Sequence, residues 1–67
     1  MLDRENIAKK LRDLRGERTQ EEVSRACEIS VSSLSMYENG ERIPRDEVKK
    51  RLADYYKKSV QSIFYTQ

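Results

Sequence analysis

Between Thr19 and Gly40 the chain carries two complete helix signatures with only a tight turn between them, and that spacing constrains the fold more than anything else in it. Thr19 and Glu22 form the T-x-x-E pattern of a capping box. The threonine hydroxyl accepts from an amide of the first turn that has no partner within the helix, so a helix starts at Gln20. Val23, Ala26 and Cys27 form its expected inner face. Ser30 is the next cap. Ile29 before it and Leu34 at the fourth helical position are the pair expected of a hydrophobic staple. Leu34 and Tyr37 then point inward along a helix Val31–Asn39, and Asn39-Gly40 ends it. A polar loop follows, closed by Pro44.

The flanks carry the same kind of signal. Asp3 caps a first helix of about Arg4–Arg15, whose Ile7, Leu11 and Leu14 repeat at i, i+4, i+7 with Ala8 beside them. Gly16 stops it. Pro44 precedes a fourth helix of about Arg45–Lys57, with Val48, Leu52, Ala53 and Tyr55 or Tyr56 on its buried side. Ser59 caps a last short turn carrying Val60, Ile63 and Phe64. No alternating strand pattern, repeat or linker interrupts this series. The expectation is an all-α, five-helix, single helix-turn-helix domain over residues 1–67, with the motif at about 19–39.

Sixty-seven residues allow one small domain with limited buried apolar surface, so marginal stability is expected. No long apolar run is present, and Met1 to Leu14 lacks the uninterrupted apolar stretch of a secretory signal. A soluble, cytoplasmic protein with no membrane partner is therefore expected. Cys27 is the only cysteine and there is no histidine, which excludes an internal disulfide and a finger-type zinc site. Cys27 also lacks a histidine to activate it, and its place on an inner helix face reads as a small buried thiol. No glycine-rich phosphate loop occurs. The chain is expected to be no enzyme and to need no cofactor or metal.

The net charge of +2 is unevenly laid out. Residues 19–40 hold one basic side chain, Arg25, against Glu21, Glu22, Glu28 and Glu38, while both flanks are net positive. Cations for a polyanionic partner must come from the flanks. In the third helix, Leu34 and Tyr37 take the core, which leaves Val31, Ser32, Ser33, Ser35 and Met36 outward. Read without a partner, the same residues are an ordinary helix surface.

At Thr19-Gln20-Glu21-Glu22-Val23, Ile29-Ser30, Leu34, Tyr37-Glu38-Asn39-Gly40 and Pro44, the chain is similar to the phage-repressor type of helix-turn-helix proteins, the xenobiotic-response-element family. The resemblance implies a compact lambda-repressor-like fold and binding of double-stranded DNA. It assigns base reading to Val31, Ser32, Ser33 and Met36, with Ser35 beside them. It gives Gln20 a phosphate and the bracing of the reading helix, and it makes Asn39, Arg42 and Arg45 a second phosphate clamp. It also pairs Arg15 with Glu38, which would tie the first helix to the reading helix and orient the Arg15 guanidinium near DNA as a further interface residue. The chain departs from the family in four places. The Gly16-Glu17-Arg18 connection is about two residues shorter than the common form. Ser24 stands where the family packs an alanine against the partner helix, and serine is small enough to fit. Lys57-Lys58 replaces the usual glycine before the last turn. In the turn between the two motif helices, the family usually has glycine and this chain has Glu28. A left-handed backbone there is unfavourable for a residue with a Cβ.

Two functions follow as expectations. The first is a transcriptional regulator, a repressor that binds a palindromic operator as a homodimer. Its self-association edge is expected at Ile63, Phe64 and Tyr65, with Val60 and Phe64 inward and Ile63 and Tyr65 outward. The second is a protein-interaction module on the same scaffold, an antitoxin or the partner of another repressor. The acidic balance of residues 19–40 favours that alternative.

Overall fold

A computed structural model describes residues 3–65. Among the described residues it contains five helices: α1 (Arg4–Arg15), α2 (Gln20–Ala26), α3 (Val31–Glu38), α4 (Asp46–Tyr56) and α5 (Val60–Phe64). The fold is all-α and compact, of the lambda-repressor-like type. α3 lies between α1 and α2, and α5 packs on both α1 and α4.

Side-chain caps set four of the five starts. The Asp3 carboxylate accepts from the amides of Glu5 and Asn6 at 3.1 and 3.2 Å. Thr19 accepts from Glu22, Ser30 from Ser33 and Ser59 from Ser62, each at 3.0 or 3.1 Å. Each such bond satisfies a first-turn donor and contributes about 1 kcal/mol. α4 has no side-chain cap; Arg45 stands at its N-cap in an extended conformation. The helix begins with Asp46 and Glu47, whose charges suit the positive end of its dipole.

The core is one cluster. Ile7 and Leu11 of α1 meet Val23 and Cys27, Leu34 and Tyr37, Val48, Leu52, Ala53 and Tyr56, and Ile63 and Phe64. Burying a side chain such as Leu11, Leu34 or Leu52 is worth about 1.5–3 kcal/mol each. Gly40 has φ +75°, and a Cβ there would lie 3.5 Å from the carbonyl oxygen of Arg4. The glycine therefore both ends α3 and lets α1 approach closely.

Two expected faces are corrected. Ala26, expected on the inner face of α2, is exposed, while Ser24 is buried beside Val23 and Cys27, in the packing place that the resemblance implies for it. Its hydroxyl donates to the Glu21 carbonyl at 3.1 Å, which makes serine tolerable there. Ile63, expected outward, is buried along with Phe64. These neighbours enter the core on two sides. Ile63 lines a groove with Leu14 of α1, and the Phe64 ring lies 5.9 Å from the Lys49 ammonium of α4. Val60, expected inward, is only partly buried. Of the three residues of the expected edge, Tyr65 alone is exposed.

Among the described residues, two that are not glycine have left-handed backbone. Glu28 in the turn between α2 and α3 and Lys57 after α4 both have φ 59°. The Glu28 turn is held by bonds from the Ile29 amide to the Ser24 carbonyl and from the Cys27 amide to the Val23 carbonyl, both 2.9 Å.

Candidate nucleic-acid interface

The position of α3 is set by Glu38. Its side chain is 2% exposed, and the carboxylate takes three hydrogen bonds from two side chains. Arg15 Nε donates to both oxygens, at 2.8 and 3.1 Å, and Gln20 Nε2 donates to Oε1 at 2.9 Å. The Glu38 carbonyl accepts from the Arg12 guanidinium. α1 and α2 are thus both tied to the last turn of α3. The second nitrogen group of Arg15 donates to the Arg18 carbonyl at 2.6 Å, which draws the α1–α2 connection into the same network. Arg18 lies over the Tyr55 ring at 5.3 Å. A buried carboxylate this well supplied with donors is a satisfied one.

The expected Arg15–Glu38 pair is present, and Gln20 joins it as a brace on α3. Burying Glu38 also removes one of the four carboxylates of residues 19–40 from the surface. Arg12 was missed in the sequence, although it sits three residues before Arg15 on the same helix face. Its partner is a backbone carbonyl, which leaves no trace in residue types.

The outward face of α3 begins with Val31, which is 40% exposed, and Ser32, also exposed. Met36 and Ser35 are half-buried and Asn39 is exposed. Asn39 Nδ2 donates to the Ser35 hydroxyl at 3.3 Å, so these two form a pair on the surface. The Ser33 hydroxyl accepts from Ser30 Oγ at 2.9 Å and belongs to the cap. Ser33 lines a polar hollow of about 260 Å³ with Ser30, Tyr37, Arg42, Arg45 and Arg51, at the flank of α3. Ser32 is not among its lining residues. The ten expected interface residues therefore divide. Val31, Ser32, Ser35, Met36 and Asn39 belong to α3 or its C-cap, and Ser33 lies with Arg42 and Arg45 beside it. Arg15 and Gln20 stand behind, on Glu38.

Two buried groups have displaced acidities. Burial, and next the nearby Glu38 carboxylate, raise the Tyr56 phenol above its usual range. Burial raises the Cys27 thiol, partly opposed by Arg51. The protonated thiol donates to the Arg51 carbonyl at 3.8 Å, a packed thiol rather than a nucleophile. Among the described residues, no group of His, Cys, Asp and Glu side chains is placed to hold a metal ion, and no helix is long and apolar enough to cross a membrane.

No curated protein and no solved structure was found to match the chain. A family model described as helix-turn-helix matches residues 9–63, which takes in the Glu38 network, α3 and the arginine-lined hollow. The chain belongs to the helix-turn-helix family, and a DNA-binding regulatory role follows from that membership.

Proposed function

We propose that the protein is a sequence-specific DNA-binding transcriptional regulator of the phage-repressor type, a repressor that binds a palindromic operator as a homodimer and works as one domain. The observation that carries this reading is the outward strip Val31, Ser32 and Met36 on a helix whose orientation is locked through Glu38. A reading helix must present base-contacting side chains in a fixed frame, since a small rotation moves every contact out of register. Val31 and Met36 supply apolar contacts suited to thymine methyl groups, and Ser32 supplies a hydroxyl. Arg42 and Arg45 are exposed at the flank of α3, where they suit phosphates. A half-site is all that one copy covers, so pairing supplies the rest of the affinity. Tyr65 is the exposed part of the proposed self-association edge, with Ile63 and Phe64 supporting it from beneath.

A second reading, a protein-interaction module such as an antitoxin or a repressor partner, draws on the exposed Glu21 and Glu22 of α2, which line a shallow surface hollow with Thr19, Arg25 and Ala26. Fold alone does not choose between the two. Selection of bound duplexes from a random pool, followed by affinity measured against salt, does. Recovery of a two-fold symmetric sequence, with affinity falling steeply as salt rises, is expected for the regulator. An unenriched pool with a flat salt response would leave the interaction module as the better account.

A further inference from the structure

The hollow beside α3 contains a cation that the reading above leaves unused. Arg51 of α4 faces the same space as Arg42 and Arg45, and the hydroxyls of Ser30 and Ser33 line it as well. Arg51 also has an internal counterion. Its Nε lies 4.0 Å from the Glu28 carboxylate, the longest of the ion pairs among the described residues, with the two side chains 41% and 79% exposed. A pair this long and this wet is loosely held. Glu28 reaches it from a left-handed turn that would suit glycine better, so the carboxylate is carried there at a backbone cost. Glu47 is the other acid on the rim, and no ion pair among the described residues involves it.

We propose that Arg51 is a third phosphodiester-binding residue of this hollow, and that Glu28 occupies it in the free protein as an internal competitor. The proposal rests on the DNA-binding reading. A backbone phosphate offers the same oxyanion chemistry as a carboxylate, with more oxygens to accept and with the added attraction of Arg42 and Arg45. Entry of the phosphate displaces Glu28 into water, where its exposure shows it is easily accommodated. Glu28 thereby lowers affinity for DNA of any sequence and leaves base reading by α3 unchanged, so discrimination is kept while non-specific retention falls.

The test is a double-mutant cycle on binding to a mixed-sequence duplex two helical turns long, across a salt series. Arg51→Gln should weaken binding several-fold and lower the magnitude of the salt slope by about 0.9. Glu28→Gln, which keeps side-chain length and the same backbone demand, should tighten binding several-fold. Most of that gain should vanish when Arg51→Gln is also present. An equal gain from Glu28→Gln with and without Arg51 would mean a net-charge effect alone and would overturn the competitor role. An unchanged salt slope in Arg51→Gln would overturn the phosphate role. Absence of salt-dependent binding by the wild-type protein would instead defeat the DNA-binding reading, and this proposal with it. Inorganic phosphate, titrated in parallel while the Arg51 Nε–H signal is followed by NMR, covers the other source of the anion. Saturation by phosphate with no response to duplex would assign the hollow to a free anion and overturn the proposal. Thermal melts of each variant should match wild type closely, since both side chains are exposed.

Discussion

Arg15 and Glu38, on different helices and 23 positions apart, meet at 2.8 Å, with the carboxylate side chain only 2% exposed and the arginine 22%. The asymmetry of burial decides what each substitution does. Removing the arginine strands a buried carboxylate with Gln20 as its remaining side-chain donor. Removing the charge of Glu38 leaves a guanidinium that water already reaches. Arg15→Ala should therefore cost about 3–5 kcal/mol, and Glu38→Gln about 1–2 kcal/mol, since an amide still accepts and donates. Thermal denaturation followed by circular dichroism ranks the two. Equal losses would show that shape, not charge, sets the position of α3.

The strip proposed to read bases makes a prediction about specificity. Ser32→Ala and Met36→Ala should change the preferred sequence at separate base pairs and leave the melting temperature in place. The expected loss is about 1–3 kcal/mol per specific contact, at the low end for a serine hydroxyl because it is not bidentate. Arg42→Ala should act differently, weakening all duplexes alike and lowering the magnitude of the salt slope by about one. Selection from a random pool separates the two behaviours: unaltered selected sequences for both α3 variants would remove α3 as the reading element.

Assembly is tested at Tyr65. Sedimentation across a concentration series, with and without the selected duplex, should show a weak dimer that tightens on DNA. Tyr65→Ala should weaken it. Ile63→Asp is expected to unfold the protein rather than merely dissociate it, because Ile63 is 2% exposed. A chain that stays monomeric on two-fold symmetric DNA, with no cooperativity between half-sites, would rule the dimer out.

The left-handed backbone at Lys57 has φ 59° and ψ 44°, and it ends α4. Lys57→Gly removes the Cβ penalty there but gives back some entropy in the unfolded chain. The balance should favour the variant by about 0.5–1 kcal/mol, while Lys57→Ala should give no gain. A melt that falls on glycine substitution would mean that the lysine side chain stabilises the α4–α5 turn more than its backbone strains it.

Alkaline stability follows from Cys27 and Tyr56, whose ordinary values are 9.0 and 10.0 and both of which are raised, chiefly by burial. A raised folded value means that the unfolded chain loses these protons first. The stabilisation is therefore complete below about pH 9 and is lost as pH climbs past 9 and then 10. The Tyr56 hydroxyl is buried with no hydrogen-bond partner. Tyr56→Phe should then be neutral or stabilising at pH 7 and should flatten the decline above pH 10. Denaturant midpoints measured from pH 7 to pH 11 check both statements.

What lies within one turn of the chain could be read from the residues alone. Asp3, Thr19, Ser30 and Ser59 cap their helices as expected, because a cap joins a side chain to an amide two or three positions away. The stripe Ile7, Leu11, the inward Leu34 and Tyr37, and the α4 face of Val48 and Leu52 follow from helical period in the same way. The Arg15–Glu38 pair was legible only through the resemblance, since its partners lie on different helices. What depends on how helices are rotated against one another was decided by tertiary packing. Ala26 is exposed because α2 meets its neighbours along a line that period alone does not select, and the buried place of Ser24 was legible only through the resemblance. Ile63 turns inward because a five-residue helix wedged against α1 and α4 is buried on two sides rather than one. Lys49 is only 5% exposed although lysine ordinarily stays in water, its stem covered and its ammonium donating to the Tyr65 hydroxyl at 2.8 Å. Arg12 on the Glu38 carbonyl and Arg51 opposite Glu28 join helices through a backbone acceptor and a turn. Their meeting is fixed by three-dimensional packing, because no local rule of spacing brings such groups together.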